Sequence, residues 1–179
     1  MYTNEINIKK ICSFYVSDWH LTAMLLPYIT NKLQKNERIN TILNKDIKEK
    51  MEELLSRINI EENEKEKVKS INWKNNYIYT YEEIDNYMKK VVKKDNKNII
   101  IISGNKEEIE NTNKNIDKWI IKNISLLKNS SINIINCYDV EDFNNNLKSI
   151  LEKHDFILNT SGEHEIGEMF AGFNKKNVS

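Results

Sequence analysis

The chain predicts a three-layer α/β fold whose mostly parallel central sheet has about six strands flanked by helices. Three observations point to it. Strand-like and helix-like segments alternate from end to end. The run Asn98-Ile-Ile-Ile-Ile-Ser-Gly104 is continuously β-branched, as expected of a strand buried on both faces of a parallel sheet. Residues 131–158 read as strand, helix, strand, which is the parallel crossover unit. No Pro- or Gly-rich linker and no break in composition divides the 179 residues, so the chain 1–179 reads as one domain.

The elements follow in order. Ile8 to Tyr15 is the first strand. Ser17 or Asp18 then offers an N-cap, and Leu21, Met24, Leu25, Tyr28, Ile29 and Leu33 recur at helical spacing. Pro27 lies inside that pattern and predicts a kink or a locally broken turn. Ile39 to Leu43 is the second strand, and Asn44 to Asp46 cap a helix whose apolar face is Ile47, Met51, Leu54, Leu55 and Ile58. Glu61 to Lys67 reads as a solvated charged connection, and Val68 to Trp73 as the third strand. Thr80 caps a helix with Ile84, Tyr87, Met88, Val91 and Val92 on one face. After the isoleucine strand, a helix is expected from Glu107 to Leu127, then the strand 131–139, a helix over Val140 to Leu151, and a last strand beginning after His154. The tail 161–179 holds three of the four glycines; it is expected as a short helix closing the sheet edge, a partner-binding peptide or a frayed end.

Composition excludes some function classes. Lys+Arg and Asp+Glu balance at 27 each, and Arg38 and Arg57 are the only arginines, which argues against nucleic-acid binding. Cys12 and Cys137 fall inside apolar strands and read as inert core thiols of a reducing compartment. No apolar run approaches the ~18 residues of a membrane span, and the N-terminus has no signal-peptide pattern, so no membrane association and a cytoplasmic location are expected. A phosphate-cradling loop needs glycines that let backbone amides approach an anion. Tyr15-Val-Ser-Asp-Trp-His20 has none, and Ser103-Gly-Asn-Lys106 has one, so no P-loop and no nucleotide cofactor are expected. Glu163-His-Glu165 brings potential metal ligands together in sequence, but adjacent side chains diverge, and a solvated acidic tail is the plainer reading. No activated nucleophile is visible, and Asp139 fits either a base at a strand end or the cap of the next helix.

What remains is a set of aromatic and polar residues at predicted strand ends, where open parallel sheets bind ligands. The candidate ligand-binding residues are Phe14, Tyr15, Trp19, His20, Ser103, Tyr138 and Asp139, with Trp73, Tyr77, Tyr79 and Tyr81 as further members of the set.

The ordered motifs resemble the MEDS domain, a sensory domain of methanogen and methylotroph regulators. Lys10-Ile-Cys-Ser-Phe-Tyr15 is similar to the family's opening His-Ile-Cys-x-Phe-Tyr strand. Pro27-Tyr-Ile29, Leu33 and Glu37 match its first helix and the residue before its next strand; Ile102-Ser-Gly-Asn105 matches a later strand end. Asn136-Cys-Tyr-Asp139 followed by His154 resembles its Cys-x-Tyr-Asp, helix and His. The likeness spans about residues 8–160 and departs at Lys10, Lys32 and Asn105, where the family has His, Gly and Glu. It implies a RecA/KaiC-type, Rossmann-like fold without a P-loop and a sensory role. The resulting expectation is a non-enzymatic, stand-alone regulatory domain that binds a small organic ligand at the carboxyl edge of the sheet and signals to a separate protein. The alternative is a ligand-free module that docks a kinase, sigma factor or transcription regulator, with homo-oligomerisation left open. A hydrolase or transferase using Asp139 and His154 is the third reading.

Overall fold

A computed structural model describes residues 6–44, 46–75, 77, 78, 80–143 and 147–170. Five strands, β1 (Asn7–Tyr15), β2 (Arg38–Leu43), β3 (Lys97–Gly104), β4 (Ser131–Asp139) and β5 (Phe156–Asn159), are mutually parallel. A sixth, β6 (Gly162–Glu165), returns antiparallel to β5, and the sheet order is β2-β3-β4-β1-β5-β6. This is a three-layer, mostly parallel sheet of the Rossmann/RecA-like kind. The chain leaves β1 towards β2 on one side and leaves β4 towards β5 on the other, so the topological switch lies between the carboxyl ends of β1 and β4.

Strand alternation divides the core in two. Ile11, Tyr15, Ile99, Ile101, Ile135 and Cys137 face α1 (Asp18–Gln34), α2 (Lys48–Arg57) and α3 (Glu62–Lys69). Cys12, Ile100, Ile102, Ile134 and Tyr138 face α4 (Tyr81–Val91), α5 (Lys106–Lys122), α6 (Leu147–Glu152) and the short α7 (Ile166–Met169). The β-branched runs therefore sit where both faces are covered. Two helices begin with full capping boxes, Thr80 with Glu83 and Asn105 with Glu108, each side chain serving the other residue's backbone amide.

Several expectations change. Val68 to Trp73 is not a strand: the charged run forms α3, with Lys65–Glu62 and Lys69–Glu66 pairs along its surface and Val68 as its buried anchor. Asn72 makes one parallel bridge to Asn40. From there the chain runs beside β2, where Thr41 N donates to Asn72 O (3.2 Å) and Leu43 N to Lys74 O (2.9 Å). Helix α1 is unbroken through Pro27, because Pro27 and Ala23 lie on the exposed side, where water can solvate the carbonyl that loses its donor. The helix expected over Val140 to Leu151 is a 3₁₀ turn (Val140–Phe143) and α6, with 144–146 outside the described residues. The long helix ends at Lys122, followed by a 3₁₀ turn at Ile124–Leu126. Residues 162–169 of the tail form β6 and α7: Gly162 takes the positive φ of 111° that the hairpin turn needs, and Ile166 is buried. Its remainder, 171–179, lies outside the described residues.

Candidate functional site

The predicted ligand-binding residues do not share one pocket. Because neighbours on a strand point to opposite faces, Tyr15 is buried against α1 while Phe14 lies on the α5 side. Ser103 is fully buried, and its Oγ donates to Asn44 Oδ1 at 3.0 Å. Trp19 is 43% exposed on the first turn of α1. His20 closes the β1–α1 turn, its Nδ1 accepting from Val16 N (3.1 Å) and its backbone N donating to Ser17 Oγ (3.1 Å). Asp139 accepts from Glu141 N (3.1 Å), the cap of the following 3₁₀ turn. Trp73 donates from Nε1 to Val68 O, Tyr77 pairs its hydroxyl with Thr112, and Tyr79 lies outside the described residues.

The start of α1, where a phosphate loop would stand, is occupied. Ser17 Oγ takes up one of its free amides, and the Asp18 carboxylate lies in the first turn, so an incoming anion meets a like charge. Both cysteines are buried and neither is in a disulfide; burial, with Cys12 as a lesser contribution, pushes the Cys137 thiol up, so it stays protonated. In β6, alternation separates His164 from Glu163 and Glu165; Glu163 pairs with Lys9, and His164 Nε2 lies 2.8 Å from Ser161 Oγ. Among the described residues, no three His, Cys, Asp or Glu side chains gather as a metal site, and no helix is long and apolar enough to cross a membrane.

Two predicted residues do meet. Phe14 and Tyr138 stack across the β1–β4 switch point, with ring centroids 5.8 Å apart at 30°, and Tyr138 presents an edge-on contact to His154 (5.9 Å, 86°). Next to this aromatic group, on the α5 face of the sheet, is a cleft of ≈ 670 Å³ between α5, strands β1 and β4, and the turn from α6 into β5. Tyr138 is the only predicted binding residue among those lining it.

The floor of the cleft is a polar chain. Asn113 Nδ2 donates to Ile109 O (2.9 Å) and Asn136 Oδ1 (2.8 Å). Asn136 Nδ2 donates back to Asn113 Oδ1 (3.2 Å) and lies 2.9 Å from His154 Nε2. His154 Nδ1 is 2.6 Å from Ile150 O, an acceptor only, so Nδ1 carries the hydrogen and Nε2 accepts from Asn136. The chain links α5, β4 and α6, and it fixes the imidazole as a neutral tautomer with both nitrogens engaged.

Charge is concentrated on the walls. Lys10 pairs with Asp117 (2.8 Å), and Glu110 is held between Lys153 (2.8 Å) and Lys106 (3.0 Å). The hydrogen bond from Lys153 foremost, and that from Lys106, keep the Glu110 carboxyl below its ordinary range against an opposing desolvation. Lys114, Lys118 and Lys122 line the cleft but enter none of these ion pairs, and Lys118 and Lys122 lie 4.5 and 4.6 Å from the centre of the Tyr81 ring. Five lysines against two carboxylates leave the lining three positive charges in excess.

Sequence reasoning missed most of this lining. Two signals were present: lysines at i, i+4 and i+8 (114, 118, 122) on one helical stripe, and an asparagine, Asn136, inside an otherwise apolar strand. No protein-family profile, curated protein or solved structure matches this chain.

Proposed function

We propose that the protein is a non-enzymatic sensory or regulatory domain of the MEDS kind, whose cleft over β4 takes a small organic anion and which signals to a separate protein. The observation that carries the reading is the excess of lysine charge around a cleft of ≈ 670 Å³, a size in the range of small-molecule sites. Its location differs from the expected rim: the cleft lies under α5 on the face of β1 and β4, with Lys10 and Asn136 inside the strands, rather than beyond the strand tips. The floor favours binding over chemistry. Asn113 and Asn136 direct their amide hydrogens to protein acceptors, both His154 nitrogens are engaged, and the wall carboxylates Glu110 and Asp117 are held by lysines, which supports binding over general-base chemistry. Recognition then rests on ammonium groups and aliphatic stems at the walls, with Tyr138 and Ile121 offering apolar contact.

The test is a thermal-shift titration with succinate, citrate, benzoate and phenylphosphate, set against neutral benzamide, at low and high salt. A ligand at a hundredfold excess over its Kd stabilises by about 2.7 kcal/mol, a rise of roughly 5–10 °C for a domain of this size. The expected outcome is a rise for at least one anion that salt diminishes and that Lys114→Glu abolishes. Equal shifts with benzamide, or shifts indifferent to Lys114→Glu, would overturn the reading.

A further inference from the structure

We infer that the outer end of α5 and the turn after it form a docking surface for an acidic, amphipathic segment of a partner protein. Among the described residues, Ile121, Ile124 and Leu126 are 72%, 58% and 64% exposed, whereas Ile116, Trp119 and Ile120 of the same helix fill the core. The three exposed side chains are therefore surplus to the packing of α5, and three large apolar groups within six residues mark an interaction surface more often than an isolated one does. Two observations define the occupant. The first is charge: Lys114, Lys118 and Lys122 run along the stripe that contains Ile121, and exposed Lys128 follows Leu126, so apolar anchors are flanked by cations and call for a partner with carboxylates beside its own apolar residues. The second is shape. Ile121 also lines the cleft, so the apolar ridge continues into a concavity, which a helix or extended peptide can follow and a flat bilayer cannot. The inference deepens the regulatory reading, since α5 forms a wall of the ligand cleft and carries the ridge, but the ridge itself lies outside the cleft apart from Ile121.

The experiment is phage display of random peptides of about 16 residues, some four helical turns, panned on the full chain and counter-selected on an Ile124→Asp/Leu126→Asp variant. Enriched sequences should combine Asp or Glu with Leu, Ile or Phe. Their affinity should fall about tenfold on the double variant, the loss expected when anchors are removed, and again on Lys118→Glu/Lys122→Glu. Both variants change exposed positions, and an unaltered circular dichroism spectrum and Tm exclude misfolding. Enrichment of sequences without acidic residues, equal binding to either variant, no enrichment, or preferential binding to vesicles of mixed phosphatidylcholine and phosphatidylserine would each overturn the inference. The small-anion titration with Lys114→Glu reads the cleft separately, so failure of one surface is distinguishable from failure of the other.

Discussion

Replacing Asn136 by leucine keeps much of the side-chain volume but removes the amide that joins Asn113 to His154 across the floor of the cleft. Each of the two partners that loses its bond costs about 1–3 kcal/mol, so Asn136→Leu is expected to lower stability in urea by about 2–6 kcal/mol. Adding Asn113→Leu should cost less than the sum of the two single changes; additive losses would show that the amides do not act together. The two buried tyrosines contrast with each other. Tyr87 donates to Thr41 O at 3.0 Å, whereas the Tyr28 hydroxyl is buried with no hydrogen-bond partner among the described residues. Burial holds both phenols protonated far above neutral pH. Tyr87→Phe is expected to cost about 1 kcal/mol, and Tyr28→Phe to be neutral or stabilising by up to about 1 kcal/mol, measured by chemical denaturation. At this scale the sequence was a partial guide. Of the residues expected at the rim, Tyr138 alone lines the cleft, and Phe14 and Tyr15, or Tyr138 and Asp139, are parted because the pleat sends neighbours to opposite faces.

At the scale of elements, the long apolar periods were legible and the charged ones were not. The isoleucine run of β3 and the stripes of α1, α4 and α5 carried their own burial pattern. Helix α3 has a single buried residue, Val68, so it has no apolar period to read; its Glu and Lys side chains favour a helix through propensity and i,i+3 pairs instead. Strand β6, Gly-Glu-His-Glu, contains no strong strand former and owes its conformation to pairing with β5 after the Gly162 turn. The walls of the cleft respond to acid in a defined direction. The Glu110 carboxyl sits below its unfolded value near 4.5, so its contribution is complete above that value and is lost as pH falls through the lowered folded value. Solvent screening of this partly exposed group limits the contribution to a few tenths of a kcal/mol. Glu110→Gln is therefore expected to lower stability by those few tenths of a kcal/mol at pH 7 and to converge with the unchanged protein below about pH 4.5, flattening the acid limb, as followed by Tm against pH.

For the whole molecule, charges cancel at 27 against 27, yet the cleft keeps three unbalanced lysines, so the remainder of the chain carries the compensating acidity. Residues 162–170 also matter at this scale. Ile166 packs into the α5-side core and β6 extends the sheet, so a chain ending at Ser161 is expected to lose about 2–5 kcal/mol relative to one ending at Phe170, the range for removing a buried isoleucine. Equal melting temperatures for the two truncations would contradict that role.

The segment Asn72–Lys74, bonded along the outer side of β2, has a consequence for behaviour at high concentration. It occupies backbone groups on one flank of the sheet that would otherwise template addition of a foreign strand. The opposite flank ends in β6, only four residues long and bearing the exposed Glu165, features that discourage intermolecular β-pairing. The sheet is thereby guarded at both borders against aggregation by different means: an irregular stretch of its own chain at one, brevity and negative charge at the other.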